Sequence, residues 1–234
     1  MIVAMIQARM GSSRLPGKIM MLLNDKPVLS HITDRLKKSN CTDETIIITS
    51  VNGENDVVRE FAYKENIECF SGSENDVLRR YVDAAEKFNL NDDDHIIRIT
   101  ADCPLINPSV IDDLVKLHLQ NESDYSSNTL IRSYPDGLDC EIVKVKILRE
   151  INDLPLDSSE REHVTLNIVN HKDEFNTSNL EFKTNLSSLR WTLDTLNDYQ
   201  FLNRLFSECQ EEELDDIESI ISCCEAMGIV NEEK

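Results

Sequence analysis

Apolar positions in the first half of the chain switch between two periods. Residues 2–6 (Ile-Val-Ala-Met-Ile) form a continuous apolar run that suits one buried strand and is too short to cross a bilayer. Residues 45–49, 67–70 and 95–100 predict three further strands. Between them the period lengthens to that of a helix. Val28, Leu29, Ile32 and Leu36 share one face after Pro27, with Lys37 and Lys38 at the C-terminal end, where the helix dipole favours cations. Val57, Val58, Phe61 and Ala62 line a second helix, separated by Asn52-Gly53 from the strand before it. Val77, Leu78, Tyr81, Val82, Ala85 and Phe88 line a third, preceded by Ser73 and Asp76 in capping-box spacing. Asn107-Pro108 opens a fourth, reaching about Leu119, with proline at a permitted first-turn position. Residues 125–128 predict another strand.

Strands alternating with helices predict an α/β fold: a mainly parallel twisted sheet flanked by helices, with its ligand crevice at the carboxyl ends of the strands. From 130 to 185 the pattern loosens. Residues 133–139 are polar and turn-rich, 141–145 suit a strand, and 180–182 an extended segment. Ser159 and Glu162 have capping-box spacing before a helix with Val164, Ile168 and Val169 on one side. This stretch is expected to be an arm or subdomain laid on the sheet, within a single domain over 1–234. Residues 189–195 (Leu-Arg-Trp-Thr-Leu-Asp-Thr) predict a strand end, and helices follow over 197–206 and 213–226. The last carries Leu214, Ile217, Ile220, Ile221 and Cys224 as a packing stripe.

Composition narrows the function classes. With 29% charged and 40% hydrophobic residues, neither disorder nor a membrane protein is expected. A formal net charge of -20 disfavours nucleic acid and anionic membranes as partners, and an acidic chain that binds a nucleotide must gather its cations locally. Gln7 and Arg9 interrupt the N-terminal apolar run, so it does not read as a signal peptide, and a cytoplasmic location is expected. The seven cysteines show no zinc-finger spacing and read as reduced, mostly structural thiols.

One place does gather cations. Residues 8–18 (Ala-Arg-Met-Gly-Ser-Ser-Arg-Leu-Pro-Gly-Lys) directly follow the first strand. Arg9, Arg14 and Lys18 bring charge, Ser12 and Ser13 bring hydroxyls, and Gly11 and Gly17 allow close backbone approach, which together make a cradle for nucleotide phosphates. A surface loop of solvated cations has the same composition. It is not a Walker loop, because Ser12 to Pro16 stand between the glycines and Ile19 follows Lys18. Asp102 and Asp194 each end a predicted strand, and two such carboxylates with phosphate oxygens suit Mg²⁺; each is otherwise a turn or helix-cap aspartate. The run Asp92-Asp93-Asp94 precedes its strand and reads as a solvated turn at the wrong end of the sheet. Arg132, Arg161, His163 and Arg190 suit an anionic acceptor, although His163 equally suits quiet packing on a helix. Cys103 reads as a small packed thiol. Nucleotidylyl transfer, metal-dependent glycosyl transfer and non-catalytic nucleotide binding all remain open on these residues.

The loop at 8–18 resembles the signature loop of the cytidylyltransferases that activate sugar acids. It is nearest in pattern to the spore-coat polysaccharide biosynthesis group and to the 3-deoxy-manno-octulosonate and acylneuraminate cytidylyltransferases. Residues 71–78, 98–105, 134–139, 159–165 and 189–195 also resemble the spore-coat group, so the likeness spans about residues 1–206. It implies a nucleotide-binding sheet with a dimerisation arm, hence a homodimer, and CMP transfer from CTP to an acidic sugar or similar anionic acceptor with Mg²⁺ as cofactor. By matching position it implies Arg9, Ser12 and Lys18 on the triphosphate, with Ala8 and Gly11 in the same loop, and Ser71 and Asp76 near the base. It likewise implies Asp102 and Asp194 on metal, and Tyr134, Asp136, Asp139, Arg161, His163 and Arg190 toward the acceptor. Arg9, Lys18, Asp102 and Asp194 are the implied catalytic set. Arg79 departs from the pattern, standing where related sequences often carry an acidic residue, and from Glu211 onward no motif matches.

Overall fold

Along the first strand, side chains feed two cores in turn. In the computed structural model, which describes residues 1–228, β1 (Ile2–Gln7) sends Ala4 and Ile6 to one face of a sheet and Val3 and Met5 to the other, all four fully buried. Residues 229–234 of the domain expected over 1–234 lie outside the described residues. Burial on both faces is why the strands read as continuous apolar runs rather than as alternating ones.

The sheet runs in the order β5 (Glu68–Gly72), β4 (Glu44–Ser50), β1, β6 (His95–Thr100), β8 (Glu141–Lys144), β7 (Tyr125–Ser127), β9 (Thr177–Asn179). All neighbours pair in parallel except β8, which is antiparallel to both β6 and β7. β2 (Leu22–Leu23) and β3 (Lys26–Pro27) form a separate small ribbon. On the Ala4 face pack α1 (Val28–Leu36), α2 (Asp56–Lys64), α4 (Pro108–Gln120), α8 (Leu196–Glu208) and α9 (Ile217–Ala226). On the Val3 face pack α3 (Val77–Lys87), α5 (Val145–Asn152) and α7 (Leu166–Asn170), with the short α6 (Ser158–Glu162) beside α3. The fold is thus the mainly parallel, helix-flanked sheet that the hydrophobic periods predict.

Several boundaries differ from the sequence pattern. The cap of α3 is Asp76, whose side chain accepts from the Arg79 N–H, and Ser73 instead accepts from the Asp76 N–H in the turn before. The capping box at α6 joins Asp157 and Glu160 rather than Ser159 and Glu162, because Asp157 is the residue with extended backbone. No single helix carries Val164 and Ile168: Val164 stands at φ 51 between α6 and α7, a left-handed conformation rare for a β-branched residue. The strand expected at 189–195 is reduced to an isolated bridge between Asp136 and Arg190. Within 130–185, β8 and β9 are strands of the main sheet, and the edge strand is residues 177–179 rather than 180–182. Asp94 is not solvated: it is buried and binds the N-terminal ammonium and the Asn91 N–H, at the amino ends of the strands.

Candidate active site

The loop after β1 is folded back on itself by its own backbone. The Gly17 N–H donates to the Met10 carbonyl at 3.0 Å, and Asn55 Oδ1 accepts from the Met10 N–H at 2.8 Å. Gly17 turns the chain at φ 72, a conformation that costs other residues more than glycine. The short helical turn that follows (Lys18–Met20) buries Ile19 and anchors Lys18 at the crevice. Ser12 Oγ accepts from the Leu15 N–H at 3.3 Å and shapes the tip.

Lys18 Nζ lies 2.8 Å from Asp102 Oδ2 and 2.8 Å from Asp194 Oδ1. Asp102 comes from the turn after β6, in register with the end of β1, since Gln7 pairs with Thr100. Asp194 arrives from far along the chain. The Leu193 N–H and the Thr192 hydroxyl both donate to the Asp102 carbonyl, at 2.8 and 3.2 Å, and buried Trp191 donates its N–H to the Asp136 carbonyl. Asp194 therefore precedes the Thr195 cap of α8 rather than ending a strand. Arg190 bonds Asp136, Asp194 and Asp198 together, and Arg14 reaches Asp194 at 3.1 Å.

Charge in this cluster is mutually stabilised. Burial works against the Lys18 ammonium, but Asp102 and then Asp194 outweigh it and raise its pKa. Burial alone would raise the Asp194 carboxyl, yet Lys18 first, then Arg14 and Arg190, hold it below the usual carboxylate range. Two carboxylate oxygens converging on one cationic point, beside open space for phosphate oxygens and waters, match the oxygen donor set that Mg²⁺ takes. The Lys18 ammonium stands at that point.

Two cavities meet here. One, of about 330 Å³, is lined by Gln7, Arg9, Gly11, Ser12, Arg14 and Lys18 of the loop side. The other, of about 450 Å³, is lined by Arg98, Arg132, Asp136, Asp139, Glu141 and Thr165 among others. Thr100, Asp102, His163 and Asp194 belong to both walls. His163, the residue that ends α6, directly precedes the left-handed Val164. Arg9 is oriented by Glu74 at 3.0 Å and by Glu162 of α6 at 3.5 Å. In the larger cavity Arg132 forms a two-pronged pair with Asp139 at 3.1 and 2.8 Å. Burial nevertheless raises the Asp139 carboxyl, with Asp136 and Glu141 adding to the effect.

The loop residues Arg9, Gly11, Ser12 and Lys18 come together with Asp102 and Asp194, and Asp136, Asp139 and His163 line the adjoining cavity. Other candidates sit elsewhere. Ala8 is buried, and its N–H donates to the Ile48 carbonyl. Ser71 accepts from Arg59, and Asp76 caps α3; neither lines the two cavities. Tyr134 is buried against Phe182 and faces a different cavity, of about 250 Å³. Arg161 is spent on Asn152 and the Leu154 carbonyl, closing the end of α5. Arg190 touches the site through Asp194 and is held by carboxylates. Cys103 is buried, and its thiol is raised well above normal by burial and then Asp102, so it is a packed thiol.

Sequence reasoning missed the floor of the larger cavity. Arg98 Nη1 bonds Glu141 Oε2 at 2.6 Å, while Glu141 Oε1 accepts from the Tyr125 hydroxyl at 2.6 Å and the Thr165 hydroxyl at 3.0 Å. Burial would raise Glu141, but Arg98 and these donors outweigh it and keep the carboxyl low. The signal was present: a charge at Arg98 inside an otherwise apolar strand requires a buried partner.

A helix-flanked, mainly parallel sheet with a cationic loop and two converging aspartates at its carboxyl ends fits the nucleotide-binding α/β class, and comparison narrows it. Residues 3–234 match the cytidylyltransferase family, to which the chain belongs. It is 33% identical over 217 residues to the spore coat polysaccharide biosynthesis protein SpsF of Bacillus subtilis, covering 90% of this chain and 88% of that protein. It is 32% identical over 129 residues to 8-amino-3,8-dideoxy-manno-octulosonate cytidylyltransferase of Shewanella frigidimarina, covering 54% of this chain and 51% of that protein. The solved structure of a cytidylyltransferase from Leptospira borgpetersenii superposes with a TM-score of 0.91 at 30% identity, covering 100% of this chain and 98% of that one.

Proposed function

We propose that the protein transfers CMP from CTP to an acidic sugar and releases pyrophosphate. The observation that carries this reading is the pair of cavities sharing Asp102 and Asp194, one walled by the cationic loop and the other by polar groups suited to a hydroxylated acceptor. The triphosphate lies along Arg9, Ser12, Arg14 and Lys18, with the base toward the end of β5, where Glu74 pairs with Arg9. The oxygen of an acceptor hydroxyl attacks the α-phosphorus and its proton passes to solvent; a new P–O bond forms as the bond from the α-phosphorus to the α–β bridging oxygen breaks, and that oxygen leaves with pyrophosphate. Charge grows on the leaving pyrophosphate, and Lys18, Arg9 and Arg14 face that growth. Asp102 and Asp194 are the residues that would hold Mg²⁺, which when bound neutralises phosphate charge and orients oxygens. When Lys18 turns to the phosphates, its place between the carboxylates is left for that cation. Arg132 is the cation that faces the acceptor's carboxylate, by giving up its pair with Asp139, and His163 is a hydrogen-bonding group on the same wall.

We place the reaction in the cytoplasm, in keeping with a nucleoside triphosphate substrate; no helix among the described residues is long and apolar enough to cross a membrane. A homodimer through the 130–185 segment accounts for Ile131, Leu154 and Val169, large apolar residues exposed on that stretch. The test of function is CTP-dependent pyrophosphate release across a panel of keto-acid sugars, neutral sugars and sugar phosphates. Release with a keto-acid sugar is expected. Glycosyl transfer from an intact nucleotide sugar without pyrophosphate release would overturn the assignment.

A further inference from the structure

Away from both cavities, three side chains with metal-binding chemistry meet at the junction of the last two helices. Cys209 closes the C-terminal end of α8, Glu213 opens the short turn Glu213–Asp215, and Cys223 lies in α9. The two sulfurs and a carboxylate oxygen of Glu213 all lie within 4.8 Å of one another. Tetrahedral zinc with Zn–S bonds near 2.3 Å sets its thiolates roughly 3.8 Å apart, so closing this group moves any pair by about 1 Å at most. The backbone that carries Glu213 is pinned. Arg35 Nη1 donates to the Leu214 carbonyl at 2.9 Å and pairs with Asp215, Asn107 Nδ2 donates to the Asp215 carbonyl at 2.8 Å, and Lys38 reaches Asp215 at 2.7 Å. The carboxylate itself is oriented, since Glu213 Oε2 accepts from the Gln210 N–H at 2.7 Å. Cys209 also lines a small cavity of about 90 Å³.

We propose that Cys209, Glu213 and Cys223 form a structural site for a thiophilic divalent cation such as Zn²⁺, with water in the fourth position. Two thiolates and a carboxylate are a zinc donor set, and a soft ligand pair discriminates against the oxygen-seeking Mg²⁺ of the active site. On binding, two metal–sulfur bonds form and the two thiol protons leave to solvent, with no change of oxidation state. The site ties α9 and its turn to α8, whose other end carries the Thr195–Asp198 cap beside Asp194.

The test uses the full chain, reduced and freed of metal, titrated with Co²⁺ as a spectroscopic stand-in. About one equivalent is expected to bind with a thiolate-to-cobalt charge-transfer band, which Zn²⁺ then displaces. Cys209→Ser and Cys223→Ser each abolish the band, Glu213→Gln weakens binding, and Cys224→Ser and Asp102→Asn leave it in place. Cys209 is buried, so its variant is paired with the half-buried Cys223 in case it fails to fold. A band that survives both cysteine variants overturns the proposal. So does reduced protein that shows no band, including protein isolated with a Cys209–Cys223 disulfide that takes no metal once reduced.

Discussion

Lys18 holds two carboxylates that would otherwise repel each other, and it sits where the proposed mechanism would put a divalent cation. On that mechanism, replacing it with alanine removes a cation from the leaving pyrophosphate, and a loss of about 10²–10³-fold in turnover is expected, the range for removing one preorganised stabilising group. Folding is expected to suffer much less. Without the ammonium, Asp102 loses its ion pair and Asp194 keeps only Arg14 and Arg190, so Mg²⁺ alone should raise the melting temperature of Lys18→Ala by more than it raises that of the native protein. Turnover at saturating CTP and melting curves with and without Mg²⁺ check both halves, and full turnover in the variant would remove the role assigned to this lysine. The loop was legible because it is local: a strand, glycines and cations fall within residues 8–18. Asp102 was legible as a strand end. Arg14 reaching Asp194 and Glu141 under Arg98 were not, because each depends on segments far apart in sequence, and Asp198 under Arg190, eight residues on, depends on how the chain turns into α8.

Elements place those residues through a few tight contacts. Gly137 stands at φ 109, and a Cβ there would lie 2.5 Å from the Trp191 carbonyl carbon and 2.6 Å from the Thr192 nitrogen. Both are backbone atoms of the segment that delivers Asp194, so they cannot swing aside. Gly137→Ala combines left-handed strain with this clash, each worth roughly 1–3 kcal/mol. A lowered urea midpoint is expected together with loss of turnover, because Leu193 and Thr192 would be pushed off the Asp102 carbonyl. A variant with native stability and native activity would show that this close approach positions nothing. The same segment shows why element boundaries escaped sequence reasoning. Residues 157–162 contain two overlapping cap-like pairs, Asp157/Glu160 and Ser159/Glu162, and only the backbone before the helix selects the first. Residues 189–195 alternate like a strand, but they dock by two backbone bonds to Asp136 and one to Asp102 instead of joining a ladder. The strands and long helices were legible because their apolar periods persist over several turns or residues.

At the scale of the whole molecule, acid is resisted by two sets of groups with separate windows. His118 is fully buried, donating or accepting between His95 Nδ1 at 3.0 Å and Ser126 Oγ at 2.9 Å, and its pKa is lowered to about 3 by burial, then by His95 and Lys144. Asp124 opposes this only weakly. His95 is lowered as well, by burial first and then by the N-terminal ammonium and Lys144, against Asp94 and Asp93. A histidine whose folded pKa lies below its unfolded value of about 6.5 leaves the unfolded chain binding more protons in between. Stability from this source is therefore full above about pH 6.5 and falls as pH drops, by up to about 1.4 kcal/mol per pH unit for each such histidine. The carboxylates held low, among them Glu141, Asp112 and Asp194, are shifted in the same sense but act in a lower window: their contribution is full above the unfolded carboxyl pKa near 4 and is lost below it. Urea midpoints should thus begin to fall below pH 6.5, before the lowered carboxylates titrate, and fall again below pH 4. His118→Gln should flatten the slope between pH 6.5 and 5 whatever it does to stability at pH 7.5. An unchanged slope in that variant would place the acid sensitivity elsewhere, whereas a flattened one would assign it to the imidazole pair that joins β6 to α4.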